Sequence, residues 1–242
     1  MVDQKLPITS HLEELRKRLI ICFIAIGIGF FGSYFFSKKI FNLLMSPLIE
    51  VLPSGGSFIF TGLTEAFFTY LKVALLSGVF IASPVILYQI WSFISPGLYE
   101  KERKHALPFA ILSTIFFVGG ALFGYFVVFP FGFRFFMSFA SETILAFPSI
   151  KEYLSFCTRL LFAFGIVFEL PLFVLFLSKI GIVDAKMLSS QRKYALVIVF
   201  IVSAILTPPD VTTQLMMVVP LLLLYELSIW VAKIFGKKRE SS

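Results

Sequence analysis

Charge is what this chain has least of: 14% of its 242 residues are Asp, Glu, Lys or Arg, against 58% hydrophobic, and the mean hydropathy is +0.94. A soluble core of this size cannot hide so many apolar side chains, so the chain reads as an integral membrane protein. Histidine is confined to His11 and His105, without metal-ligand spacing, and no GxxxxGK[ST] phosphate loop occurs. No Ser/His or Ser/Lys arrangement offers a nucleophile either, so neither an enzymatic activity nor a metal or other cofactor is expected. Cys22 and Cys157 lie near the starts of different apolar runs, at opposite membrane faces, which excludes a disulfide between them. The net charge of +7 raises nucleic acid as a partner. Its basic residues, however, gather in the short segments between apolar runs, which is an orientation signal, and nucleic acid is set aside.

What the chain does have is long apolar runs. Six are read as spans, at about 19–36, 64–93, 107–131, 152–178, 195–206 and 215–230. The first is too long for a signal peptide and lacks a small-residue cleavage site, so it reads as a retained span. The fifth and sixth are shorter than the roughly 20 residues an upright helix needs, and such a pair thins the bilayer or leaves a wet concavity. Segment 40–52, rich in Leu and Ile and containing Pro47, reads as an interfacial cap. Pro84 is expected to bend the second span, and Gly120 with Gly124 at GxxxG spacing is expected to admit a close helix neighbour. Of the 21 Lys and Arg, fifteen fall on one side of these spans and four (Lys38, Lys39, Arg134, Lys151) on the other, while Lys72 and Arg159 lie inside spans. The positive-inside rule then gives an all-α polytopic membrane protein: a single six-span domain over residues 1–242, both termini cytoplasmic, its last two helices short.

Three acidic positions stand out. In Ser10-His11-Leu12-Glu13-Glu14-Leu15-Arg16-Lys17-Arg18-Leu19, Ser10 and Glu13 form a capping box, Leu12, Leu15 and Leu19 share a face, and Glu13–Lys17 and Glu14–Arg18 are i,i+4 pairs. Acidic ligands are thus placed at a membrane surface. In the loop before the third span, Glu100 has Lys104 at i+4, whereas Glu102 has Ala106 and is freer to meet an outside cation. Glu169 sits within the fourth span, where an acid costs roughly 3 kcal/mol on insertion scales, and such residues face a bundle interior or a wet cavity. Lys72 and Arg159 are close enough to the surface to snorkel and receive no role. Glu226, near the inner end of the sixth span, is expected to be satisfied by a wet interface or a partner.

Several of these stretches, taken in order, resemble the TatC family, the multispanning receptor subunit of the twin-arginine protein translocase. They are the Ser10–Leu19 segment just quoted, Ser83-Pro84-Val85-Ile86-Leu87-Tyr88-Gln89-Ile90-Trp91 with Phe93, Pro96-Gly97-Leu98-Tyr99, Glu102-Arg103, Phe168-Glu169-Leu170-Pro171, and Leu206-Thr207-Pro208-Pro209-Asp210. The resemblance implies a cytoplasmic face that binds the paired arginines of signal peptides on folded cargo. It also implies single-span TatA- and TatB-type partner subunits in a multimeric complex, energy from the protonmotive force, and a home in a bacterial-type inner membrane among its lipids. By position, Glu14 and Glu102 match the family's acidic signal-recognition residues, with Arg16 and Phe93 in the same region. Pro47 and Asp210 match outer-face positions, and Glu169 matches an intramembrane polar position that meets a partner helix. From the residues alone, two readings compete with a receptor: a proton-coupled small-solute transporter using Glu169, against which no internal repeat is found, and a structural scaffold for membrane assembly.

Overall fold

The computed structural model describes residues 8–53, 56–60, 62–94, 106–141, 146–207 and 211–236. Among them every regular element is helical, the one β-like feature being a single bridge between Ile59 and Ser149. The order is α1 (Ile8–Tyr34), α2 (Ser37–Ile49), α3 (Glu65–Ile94), α4 (Ala106–Phe123), a π-helical turn (Gly124–Val128), α5 (Phe129–Met137), α6 (Ile150–Phe168), α7 (Leu170–Lys179), α8 (Ala185–Ser190), α9 (Arg192–Leu206) and α10 (Val211–Phe235). Four segments are long and apolar enough to cross a membrane: Glu65–Ile94, Leu107–Met137, Ile150–Lys179 and Val211–Phe235. A fifth is added if α1 and α2, bent by 84° at their junction, count as one span.

Each of the six apolar runs falls on helical structure, the third across α4, the π-helical turn and α5 and the fourth across α6 and α7, but the helix ends differ from those the sequence predicts. The helix of the first run already includes Ile8, the first described residue, so Ser10 lies inside it and not at its cap. The last helix, expected to be short, has 25 residues. The apolar run 215–230 undercounts it because the helix also takes in the polar stretch 211–214, where Gln214 donates to the Phe200 carbonyl at 3.1 Å, and continues past Trp230 through the single charge Lys233. The fifth run does form a short helix, the 15-residue α9, about 22 Å long against an apolar bilayer core of about 30 Å.

The chain divides into two compact units, Met1–Ile40 with Tyr70–Thr114, and Phe41–Thr69 with Ile115–Ser242. In the first, α1 and α3 cross at a pair of glycines. A Cβ on Gly29 would lie 2.6 Å from the Gly78 carbonyl, and one on Gly78 would lie 2.6 Å from the Phe30 amide, so both positions need a bare backbone. The far end of α3 is pinned to α4 by Trp91, buried on Phe109 with ring centroids 4.9 Å apart, its indole N–H donating to Ser113 Oγ at 2.6 Å. An indole N–H left unpaired in such a place costs about 1–3 kcal/mol.

In the second unit, α10 packs chiefly on α7 and α9. The GxxxG expectation is met here by α6: a Cβ on Gly120 would come within 2.8 Å of the Phe168 side chain, and Gly124 abuts the fully buried Phe164 ring. Ring contacts continue through Tyr125, Phe129, Phe133 and Tyr153, with centroids 5.2–5.9 Å apart. A second acid, not singled out in the sequence, ties this unit together. Glu65 is buried, accepts from the backbone N–H of Gly62 and of Lys151 at 3.1 and 2.9 Å, and so satisfies an amide in the first turn of α6.

Proline is handled by a local device. Pro47 lies inside α2 and has no N–H to offer the Leu43 carbonyl four residues back. That carbonyl accepts instead from Ser46 Oγ at 2.8 Å and from Tyr125 Oη at 2.5 Å, while the adjacent Leu44 carbonyl accepts from Tyr153 Oη. α3 runs on through Pro84, where Ser83 Oγ reaches the Phe80 carbonyl at 2.8 Å. Both of these Ser-Pro pairs thus carry a replacement donor for the carbonyl that the proline strands.

Candidate functional site

The charged first helix and the end of α3 build a cluster within the first unit. Glu14 and Arg18 are one turn apart on α1, and Arg18 donates through Nε (3.1 Å) and Nη2 to the same oxygen, Glu14 Oε1. The i,i+4 pair read from the sequence is therefore present. The guanidinium does more than that: Nη1 donates to Gln89 Oε1 at 3.1 Å and Nη2 to the Ser92 carbonyl at 3.1 Å. Ser92 is in the last turn of α3, where carbonyls lack intrahelical donors and the helix dipole favours a cation. Arg18 is thus a clamp between two helices, with 19% of its side chain exposed.

Beside it, the His11 ring stacks on Phe93 at 4.4 Å and an interplanar angle of 16°. His11 Nδ1 is 4.0 Å from Glu14 Oε2. Among the described residues Oε2 accepts no hydrogen bond, and the Glu14 side chain is 34% exposed. The cluster therefore offers a carboxylate whose side chain is partly exposed, one oxygen held by an arginine and the other accepting no hydrogen bond among the described residues, flanked by a stacked aromatic pair. A cation with N–H donors is the chemistry that fits it.

Of the residues named from the sequence, Glu14 and Phe93 are brought together. Arg16 is exposed, and lying two positions from Glu14, about 200° around the helix, it faces away from the cluster. Glu102 and Asp210 lie outside the described residues. Pro47 is buried in α2 with the carbonyl role described above. Glu169 stands at the junction of α6 and α7, half-buried with Oε1 fully enclosed. Pro171 has no N–H for the Val167 carbonyl, and the Glu169 backbone N–H donates to the Ile166 carbonyl at 3.1 Å, three residues back, as the helix breaks. A helix broken at an acid is the local consequence of the Glu-Leu-Pro sequence.

Sequence reasoning missed His11, Arg18 as a clamp, Gln89 and the Ser92 carbonyl. Gln89 and Ser92 are spaced i,i+3 on α3, which marks a shared face, but nothing in the sequence couples that face to Arg18. It also left Glu226 open. In the second unit Arg192 takes it in a two-point bond, Nε to Oε1 at 2.7 Å and Nη2 to Oε2 at 2.8 Å, and this hydrogen-bonded anion raises the guanidinium pKa above its usual value. Tyr225 Oη, one residue away, donates to the Leu188 carbonyl at 2.8 Å. The described residues contain no group of three His, Cys, Asp or Glu side chains able to hold a metal.

Fold and site together define a polytopic α-helical membrane protein that presents an arginine-braced carboxylate. Comparison with known proteins places it further: residues 10–220 match the model of the family described as Sec-independent protein translocase protein (TatC). The chain belongs to the TatC family. It is 54% identical over 239 residues to the Sec-independent protein translocase protein TatC of Desulforapulum autotrophicum, covering 99% of this chain and 88% of that one. Its identity to the Escherichia coli protein of that name is 38% over 242 residues, covering 99% and 94%. Among solved structures it is similar to the twin arginine translocase receptor TatC, with a TM-score of 0.82 and 42% identity over 92% of this chain and 97% of the other. A second crystal structure of that receptor, in DDM, gives a TM-score of 0.84 at 43% identity, over 93% and 100%. These relationships leave the solute-transporter alternative without support.

Proposed function

We propose that the chain is the receptor and core subunit of a twin-arginine protein export system, with no enzymatic step of its own. It crosses a bacterial-type cytoplasmic membrane six times with both termini in the cytoplasm, and it assembles with single-span partner subunits that use the protonmotive force to move folded proteins. The observation that carries the reading is the Glu14 carboxylate, with one oxygen held by Arg18 and the other open. An incoming signal-peptide guanidinium takes the open oxygen, and the His11–Phe93 stack gives its planar face a surface. Glu102 supplies the acid for the second arginine. Glu169, at the break between α6 and α7, meets a polar group on a partner helix, and the Pro47 cap and Asp210 act at the outer face.

The energetics favour arginine over lysine. A charge-assisted hydrogen bond to a partly desolvated group is worth about 1.5–3 kcal/mol, and the fork of arginine makes it with less ordering than an ammonium on a flexible stem. The test is the affinity of the purified protein for a fluorescent signal peptide carrying Arg-Arg against one carrying Lys-Lys, at fixed ionic strength because exposed charges are screened. A loss of about tenfold or more on the swap is expected, equal to about 1.4 kcal/mol. Equal affinities would return the protein to the class of membrane scaffolds.

A further inference from the structure

The second unit contains a cavity of about 490 Å³, within the range of small-ligand sites, that none of the roles above uses. One wall is a single face of α6 on which Glu152, Ser155 and Arg159 recur at i, i+3 and i+7, and the rings of Phe133, Phe136 and Phe156 supply apolar wall. Arg159 and Glu152 are exposed, and among the described residues neither makes a hydrogen bond or ion pair. Snorkelling to water accounts for a lone arginine in a span. It does not account for an arginine lining a cavity in which a carboxylate stands nearer the membrane surface and aromatic rings complete the wall.

We propose that this cavity holds the headgroup of an amine-bearing zwitterionic phospholipid of the phosphatidylethanolamine kind. The order of charges along α6 carries the assignment. Ile150–Lys179 is a membrane-length segment, so its first residues are at a surface, whichever leaflet that is. Glu152 is therefore outermost and Arg159 lies deeper, about 10 Å further along the axis. Helical side chains lean toward the N-terminus, and the longer arginine closes part of that gap. In the lipid the ammonium is likewise outermost, the phosphate sits beneath it and the acyl chains run deeper. The phosphodiester takes two N–H bonds from the Arg159 fork, the primary ammonium donates to Glu152, and the first methylenes lie on the three phenylalanines. A choline headgroup has no N–H to give Glu152, and a glycerol headgroup has no cation for it.

The test is lipid retention by the purified chain, without partner subunits, measured by native mass spectrometry. The protein is extracted from nanodiscs holding equal amounts of phosphatidylethanolamine, phosphatidylcholine and phosphatidylglycerol with matched acyl chains. The wild type is expected to keep phosphatidylethanolamine at least about fivefold over either other lipid. Arg159→Gln should lose retention of all three to background, Arg159→Lys should keep part of it, and Glu152→Gln should bind phosphatidylethanolamine and phosphatidylcholine alike. Added glycerophosphoethanolamine, the headgroup without chains, should displace the lipid only at large excess. A wild type indifferent to the headgroup, or preferring the glycerol lipid, overturns the proposal without any variant. Retention unchanged in a folded Arg159→Gln protein, or displacement by stoichiometric free headgroup, overturns it as well.

Discussion

Two arginine–carboxylate pairs, one in each unit, have the same chemistry and opposite consequences. Arg192 engages both oxygens of Glu226, so each oxygen already carries a guanidinium donor and the pair fastens α9 to α10. Arg18 engages only Oε1 of Glu14 and gives two further N–H bonds to Gln89 and Ser92. The second pair therefore holds its carboxylate in position while leaving half of it unspent. The difference arises from where each arginine is rooted. Arg18 shares a helix with its acid and reaches past it to α3, whereas Arg192 faces its acid from another helix in fork-to-fork geometry. A salt bridge on a list of contacts says nothing about availability; the count of occupied oxygens does.

The largest effect expected from breaking this contrast is on ligand affinity. Glu14→Ala should weaken Arg-Arg peptide binding by about 10- to 100-fold, as the loss of one charge-assisted bond requires, while Glu226→Gln leaves it within about twofold. Titration of both variants with the same fluorescent peptide measures this, and a comparable loss in Glu226→Gln would erase the distinction between open and closed pairs. Next in size is Arg18→Gln. It strands the Ser92 carbonyl and releases Glu14, so thermal unfolding in detergent should report a loss of about 1–3 kcal/mol, and peptide affinity should fall because the carboxylate is no longer held. Stability equal to wild type would show that Arg18 is not a clamp. The smallest effect is expected from Arg192→Gln. Its side chain is 55% exposed and that of Glu226 42%, so the melting temperature of this variant should stay within the scatter of the wild type.

The same contrast shows what could be read in advance. The Glu14–Arg18 pair was legible because i,i+4 spacing on a helix puts two residues on one face whatever surrounds them. The Arg192–Glu226 pair, 34 residues apart, was not, and Glu226 read only as an acid in need of a partner. Arg18 with Gln89 and Glu65 with Lys151 are separated by 71 and 86 residues, and no local period reports such meetings. Ser46-Pro47 and Ser83-Pro84 were half legible. The proline strands a carbonyl by its chemistry, and the serine before it can answer, but that Tyr125 would also answer at Leu43 depends on how the π-helical turn at 124–128 aims that ring.

By itself, then, the sequence determined the membrane as solvent, the helical class, the apolar runs on which helices fall and the acid on the first of them. Apolar content, run length and helical period are properties of residues within a few positions of one another, and they act before any tertiary contact forms. Only the tertiary structure decided where α10 starts and ends, which acids are occupied, and which oxygen of Glu14 stays open. Those outcomes depend on which helix end comes to lie beside which side chain, and that is set by close crossings such as Gly29 on Gly78, where an added Cβ would push two helices apart. The face of α6 that carries Glu152 and Arg159 belongs to both accounts. Its spacing, Phe156 included, was in the sequence, while Phe133 and Phe136 of α5, which complete the cavity wall, were brought there by packing.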